Sequence, residues 1–352
     1  MSYDMTNHEK LELKPDYQDT VRRYEAFWNR DIIDRPIVRV HVPNKDYDMP
    51  SVKDNYYERI HTDIDQIVSG IRSNANSMVY LGEALPQPSL SFGCDEMAAI
   101  CGGDLYFLGD NHDTCWATHF VDDWETVFPI KIKEDHPLWL RRLELLEKCA
   151  EAFCGKMLFA PIDLVSNMDM LAGMRGSQGL CTDLIDCPHL IDKALEQVMD
   201  VFASVCEHAF KKYNLPGPNG VDHLQCDFSY MISTEMFQRT ALPCLEQEAD
   251  FFDGRVFYHW DGPGALKHTD ALIASKLHVF GYVPGAGNGG HRDYLDIYQK
   301  LQNAGKAVWV GGDAEDVKFL HKHLKPHLTI YDTYLDTKEE AEELLEWFVK
   351  NT

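Results

Sequence analysis

The sequence predicts an α/β fold, a (β/α)8 TIM barrel with an insertion over the C-terminal mouth. Three observations carry this. Eight short apolar stretches recur along the chain, amphipathic helical patterns fall between them, and 352 residues suit one such barrel. Alternating strands and helices favour a parallel sheet with crossover helices.

The elements follow in order. A helix is expected at 17–29, then a strand at 37–42, a helix at 55–72 and a second strand at 88–92. Residues 93–135 hold no clear strand–helix unit and read as the insertion. A helix at 138–153 leads to a third strand at 157–165, and a helix at 189–213 to a fourth at 222–228. A helix at 234–252 precedes the fifth strand at 256–261, and the sixth follows at 277–283. A helix at 291–303 leads to strands at 307–310 and 328–331, and a helix at 338–350 closes the chain. Thr337 followed by Glu340 gives that last helix a capping signal. No repeats, low-complexity tracts or linker-like shifts divide the chain, so residues 1–352 read as one domain.

Apolar residues make up 45% of the chain, enough for a large core. The formal net charge is -24, which argues against nucleic acid as a partner. No apolar run approaches a membrane span, and the polar, charged N-terminus does not read as a signal peptide. The ten cysteines are scattered without CxxC pairs, so a reducing cytoplasm is the expected setting.

Active sites of such barrels sit at the C-terminal ends of the strands. The fifth strand ends Tyr258-His259-Trp260-Asp261-Gly262-Pro263-Gly264. Alternation puts His259 and Asp261 on one face, where imidazole and carboxylate suit metal binding or proton transfer. The glycines beyond let the chain turn away. On the fourth strand His223, Gln225 and Asp227 share a face opposite Leu224, Cys226 and Phe228. His223, early in that strand, reads as a satisfied interior histidine, and Cys226 as a buried inert thiol. The third strand leads to Asp163, Asn167 and Asp169, the sixth to Asn288 and His291, the seventh to Asp313 and the eighth to Asp332. Asp169 and Asp313 also suit helix caps.

Gly285-Ala286-Gly287-Asn288-Gly289-Gly290 matches G-x-G-x-x-G between a strand and a helix, with Asp313 at the end of the next strand. Only about two strands follow it, too few for the second half of a dinucleotide fold, so a permissive rim loop is the simpler reading. A phosphate or carboxylate at the helix starting near His291 stays open. Neither a G-x-S-x-G elbow nor a P-loop is present. Trp116, Phe120 and Trp124 suit either a substrate pocket or packing of the insertion onto the barrel.

The segment from Tyr258 to Gly264, with Val283-Pro284-Gly285-Ala286-Gly287-Asn288, resembles the uroporphyrinogen decarboxylase superfamily. So do the run from Asp227 through Tyr230 to Phe237 and Asp34-Arg35-Pro36-Ile37-Val38. The resemblance implies an α/β barrel, and either a decarboxylase or a zinc-using, corrinoid-linked methyltransferase. The decarboxylases carry an arginine-rich R-Q-A-G-R-Y motif where this chain reads Arg39-Val40-His41-Val42-Pro43. The methyltransferases bind zinc through His-x-Cys and a later Cys. Here the pair is His259-x-Asp261, and no cysteine follows Cys244. Zinc accepts oxygen ligands, which leaves His259, Asp261 and Asp227 as the candidate metal set. Such a zinc would act as a Lewis acid on an ether or amine rather than activate a thiol.

The expected function is therefore a corrinoid-protein-dependent methyltransferase acting on a small methylated substrate. His259, Asp261 and Asp227 are its catalytic candidates, and Asp163, Asn167, Tyr230, Asn288, His291 and Asp313 its substrate-binding candidates. The corrinoid would come from a partner protein, and a homodimer is left open. The alternatives are a metal-independent decarboxylase or lyase of the same superfamily, and a non-catalytic small-ligand-binding barrel.

Overall fold

Alternating β-branched and polar residues open the sheet at β1 (Ile37–Pro43), where Val38, Val40 and Val42 are buried on one face and Arg39 and His41 take the other. The computed structural model describes residues 3–47, 54–108 and 114–352. β2 (Met78–Gly82) runs antiparallel to β1, a strand the sequence pattern did not announce. β3 (Leu105–Leu108) and β4 (Thr114–Ala117) form a separate antiparallel pair. The remaining strands are β5 (Val221–Gln225), β6 (Val256–Asp261), β7 (Val279–Val283), β8 (Ala307–Gly311) and β9 (Thr329–Tyr334). They join β1 and β2 in a seven-stranded sheet of order β2-β1-β9-β8-β7-β6-β5, parallel except for the β1–β2 pair.

The expected second and third strands, 88–92 and 157–165, are not regular ladders. They meet the rest through isolated parallel bridges, Ser89 with Ala160 and Leu164 with Leu224. The reason is local: Pro86, Pro88 and Pro161 have no N–H to donate. Three backbone bonds remain, Leu158 to Pro86, Ala160 to Pro88 and Leu90 to Ala160, at 2.8–3.0 Å. Buried Arg142 completes the join. Its guanidinium donates to the Leu90 and Pro161 carbonyls and grips both oxygens of buried Glu96 at 2.6–2.7 Å.

Helices pack around the sheet through apolar stripes. In Pro188–Ala209 the buried residues Ile191, Leu195, Val198, Phe202, Val205 and Ala209 recur at helical spacing. The expected helix at 55–72 is two helices, Tyr56–His61 and Ile64–Asn76, because Asp63 caps the second with bonds from Asp65 and Gln66. The expected helix at 234–252 likewise splits into Thr234–Arg239 and Ala241–Phe251. Asn167–Arg175, Ser177–Asp186, Thr269–Ala274 and Ala314–His321 are helices the sequence reading did not list. The final helix, Lys338–Asn351, starts at the expected cap, where the Glu340 N–H donates to Thr337 Oγ1 at 3.2 Å.

The insertion has structure of its own: a helix at Glu96–Ala99, the β3–β4 hairpin and a helix at Trp124–Val127. Residues 109–113 of it lie outside the described residues. Trp124 packs the insertion down, buried with its indole N–H on Asp183 at 2.8 Å. Among the described residues, no helix is long and apolar enough to cross a membrane.

Candidate functional site

Of the strand-end acids, Asp169 and Asp227 meet in a cavity of about 320 Å³ lined also by Cys94, Trp116, His119 and Met231, among others. A larger groove of about 540 Å³, lined by Trp139, Leu143 and His208, lies between helices Pro137–Phe153 and Pro188–Ala209 and holds none of the strand-end candidates.

Asp227 does not continue β5. The strand stops at Gln225, and Asp227 opens a 3-10 turn, Asp227–Met231. Asp169, in the first turn of Asn167–Arg175, fixes that turn rather than capping its own helix. Its carboxylate accepts the N–H groups of Asp227 and Phe228 at 2.8 and 2.7 Å. Solvent reaches Asp227 through the cavity, yet protein surrounds it on most sides. That desolvation, then the charge of Asp261, pushes its carboxyl up to about 6. Asp169 is buried, and burial followed by the Asp227 charge raises it to about 8 despite the two amide bonds. Asp261 is raised by burial, against the Gly262 N–H, which lowers it.

His259 and Asp261 lie on the β6 face opposite buried Tyr258 and Trp260, as alternation requires. The His259 ring faces His223 at 5.5 Å between centroids, and its buried Nδ1 has no partner. Burial, then His223, drives it down to about 4, so it is a neutral imidazole at pH 7 and not a proton donor. His223 is not the satisfied interior residue expected. It is exposed to the interior and lines a second cavity of about 150 Å³ with Asp163.

The other candidates separate. Tyr230 is half exposed and covers the glycines after β6; a Cβ on Gly264 would stand 2.3 Å from its ring, so glycine is what lets the lip close there. Asn167 is buried, at φ 48°, and its amide donates to the Gln225 carbonyl and Glu248. Asp313 is likewise spent as the N-cap of Ala314–His321, accepting the Asp316 N–H at 2.8 Å. Asn288 donates back to the Pro284 carbonyl, and His291 bonds the Tyr298 hydroxyl at 2.7 Å. The anion position near His291 is filled by the chain itself, because Asp293 accepts the Gly290 N–H at 2.9 Å. Cys226 is buried and its thiol lies far above the usual range, in keeping with an inert role.

The expected metal set is not assembled. Among the described residues, no three His, Cys, Asp or Glu side chains are grouped to hold a metal ion, so the donors present do not fit zinc.

The sequence places Asp332 at a strand end and Arg39 on the first strand, but does not reveal that the two meet. Arg39 lies 3.3 Å from Asp222 and 3.5 Å from Asp332, with Phe257 and Trp309 rings at 5.5 and 5.0 Å. The signal was the alternation of Arg39 and His41 with valines, a polar face on one side of the strand.

The buried acids make stability depend on pH. Glu248 is fully buried, holds the Ser166 hydroxyl and Asn167 amide, and is raised by burial to about 7. Asp169 and Glu248 both bind protons more tightly folded than unfolded. Their contribution is full below the ordinary carboxylate pKa and is lost as pH rises through about 7 and about 8. Melting temperature should fall between pH 5 and pH 8, and Glu248→Gln should shrink that fall. An equal fall in the variant would remove Glu248 as a cause.

No protein-family model matches this sequence, and no curated protein matches it. Among solved structures, a methyltransferase from Methanosarcina mazei aligns with a TM-score of 0.61 at 11% identity. The alignment covers 94% of this chain and 98% of that one. At that identity the likeness is one of fold.

Proposed function

We propose that this chain is a methyltransferase whose sheet and two bridges make a closed (β/α)8 barrel with the reacting groups at its mouth. It takes the methyl group of a small methylated substrate and passes it to a corrinoid carried by a separate protein. The observation that carries the reading is Asp227, a carboxyl raised to about 6 beside Asp261 in the strand-end cavity. The fold likeness to a methyltransferase supports methyl transfer among the reactions such an acid serves.

Demethylation leaves an electron pair on the heteroatom that held the methyl group. The Asp227 carboxyl would protonate that atom as the carbon–heteroatom bond breaks, and a corrinoid held by the separate protein would supply the reduced cobalt whose electron pair takes up the methyl group. Burial, and then the like charge of Asp261, let Asp227 hold its proton up to about pH 6, above the range of an ordinary carboxyl. Neutral His259, with Nδ1 free, orients the substrate as a hydrogen-bond partner. Asp163 and Tyr230 contact the substrate from the interior and the lip. The ten free cysteines suit a reducing cytoplasm.

The test mixes the chain with a reduced corrinoid protein and a methyl ether, a methyl thioether or a methylamine. Appearance of the methylated-corrinoid absorbance, at a rate proportional to the chain, is the expected result. Turnover of a carboxylated compound without any corrinoid would replace this reading with the decarboxylase or lyase one. Binding without turnover would leave a ligand-binding barrel.

A further inference from the structure

We propose that the interior holds a second binding site, separate from the mouth, for a small organic ammonium ion. It is a chamber of about 170 Å³ lined by Tyr24, Arg39, His41, Asn219, Asp222 and Asp332, with Trp309 as an aromatic wall. Arg39, His41, Trp309 and Asp332 reach it from midway along β1, β8 and β9, and Asp222 from the start of β5. Asn219 precedes β5, and Tyr24 comes from helix Tyr17–Trp28, whose Trp28 indole donates to the Pro218 carbonyl. The mouth cavity shares no lining residue with it.

Charge chooses the ligand's sign. Arg39 brings one positive charge against the carboxylates of Asp222 and Asp332. Glu83, also at the wall, is taken by Arg35 and by the Val38 N–H. His41, 3.7 Å from Asp332, is kept neutral by burial. The chamber is left with one excess negative charge. An anion there would meet two carboxylates, whereas a monocation brings the sum to zero.

Unpartnered atoms choose its chemistry. Tyr24 is fully buried with no partner for its hydroxyl, and buried Asn219 leaves Oδ1 free. Arg39, 7% exposed, leaves Nε and Nη2 without a hydrogen-bond partner, Nε facing Asp332 at 3.5 Å. Asp222 Oδ1 and Asp332 Oδ1 also lack a partner. Buried polar atoms are normally satisfied, so this concentration marks a place built for a polar guest. The three free acceptors, on Asn219, Asp222 and Asp332, match the three N–H donors of a primary ammonium. The Tyr24 and Trp309 rings suit its alkyl part and its charge. Gln87 and Asp222 also line the cavity that holds Asp163 and His223, which gives the ligand a way in.

The test is thermal melting of the full chain in ethylammonium chloride, with potassium chloride and sodium acetate at equal ionic strength. A saturating rise in melting temperature with ethylammonium alone is expected, as for a ligand that binds only the folded state. Asp222→Asn and Asp332→Asn should need at least about tenfold more ethylammonium for the same rise. If either variant fails to fold, Asn219→Ala, which changes no charge, should show the same direction. Identical curves in all three salts, or a saturating rise with acetate, would overturn the site. So would a crystal grown in ethylammonium chloride whose chamber holds water only.

Discussion

Asp227→Asn should lower turnover by about 10²–10⁴-fold at neutral pH while leaving the fold intact, the range for loss of a positioned general acid. The side chain is solvent-reached and carries little packing, so stability should barely change. The native pH profile follows from the raised carboxyl. The acid is present below about 6 and lost above it, so a rate that depends on it falls as pH rises through about 6. Asp261→Asn removes the neighbouring charge that holds Asp227 up, and should move that limb to lower pH. Steady-state rates of the three proteins across pH 4.5–8.5 decide the matter. A near-native rate in Asp227→Asn, or a limb unmoved in Asp261→Asn, would remove Asp227 from the proton-donor role.

Glu96→Ala should be the most damaging single change to the fold, at about 3–5 kcal/mol, because it strands a buried guanidinium. Arg142 is wholly buried, over the Phe92 ring at 3.8 Å, and Glu96 supplies its only carboxylate partner among the described residues. The same guanidinium ties Leu90 to Pro161 where prolines interrupt the sheet. Paired replacement Arg142→Met with Glu96→Leu should lose less than the single change, since no charge is then left unpaired. Urea unfolding measures both. A loss under about 1 kcal/mol for Glu96→Ala would mean that the pair is dispensable to this join.

Much of the strand plan was legible because periodicity is a local property. β1 and β6 to β9 fall within two residues of their expected places at most ends, and β5 at its start. The shared face of His259 and Asp261 follows from alternation alone. What local pattern could not give is what a side chain meets. Asp169 reads as a cap in sequence, yet it serves the amides of a turn 58 residues away. Asn167 reads as a strand-end polar residue, yet it closes on Glu248. Pro86, Pro88 and Pro161 were visible in sequence, and their effect on two expected strands was not drawn from them.

The sequence by itself determined the α/β alternation, the shared face of the β6 histidine and aspartate, and the buried character of Cys226. Each rests on near neighbours in the chain, where the pleat and the apolar pattern act. The tertiary structure alone decided which groups share a cavity and which carry a proton. Asp227 is raised because the surrounding protein desolvates it and Asp261 comes near, and His259 is neutral because burial and then His223 oppose its charge. Arg39 faces Asp222 across 183 positions of sequence. Desolvation and Coulomb interaction depend on distance in space, and that distance exists only once the chain has folded.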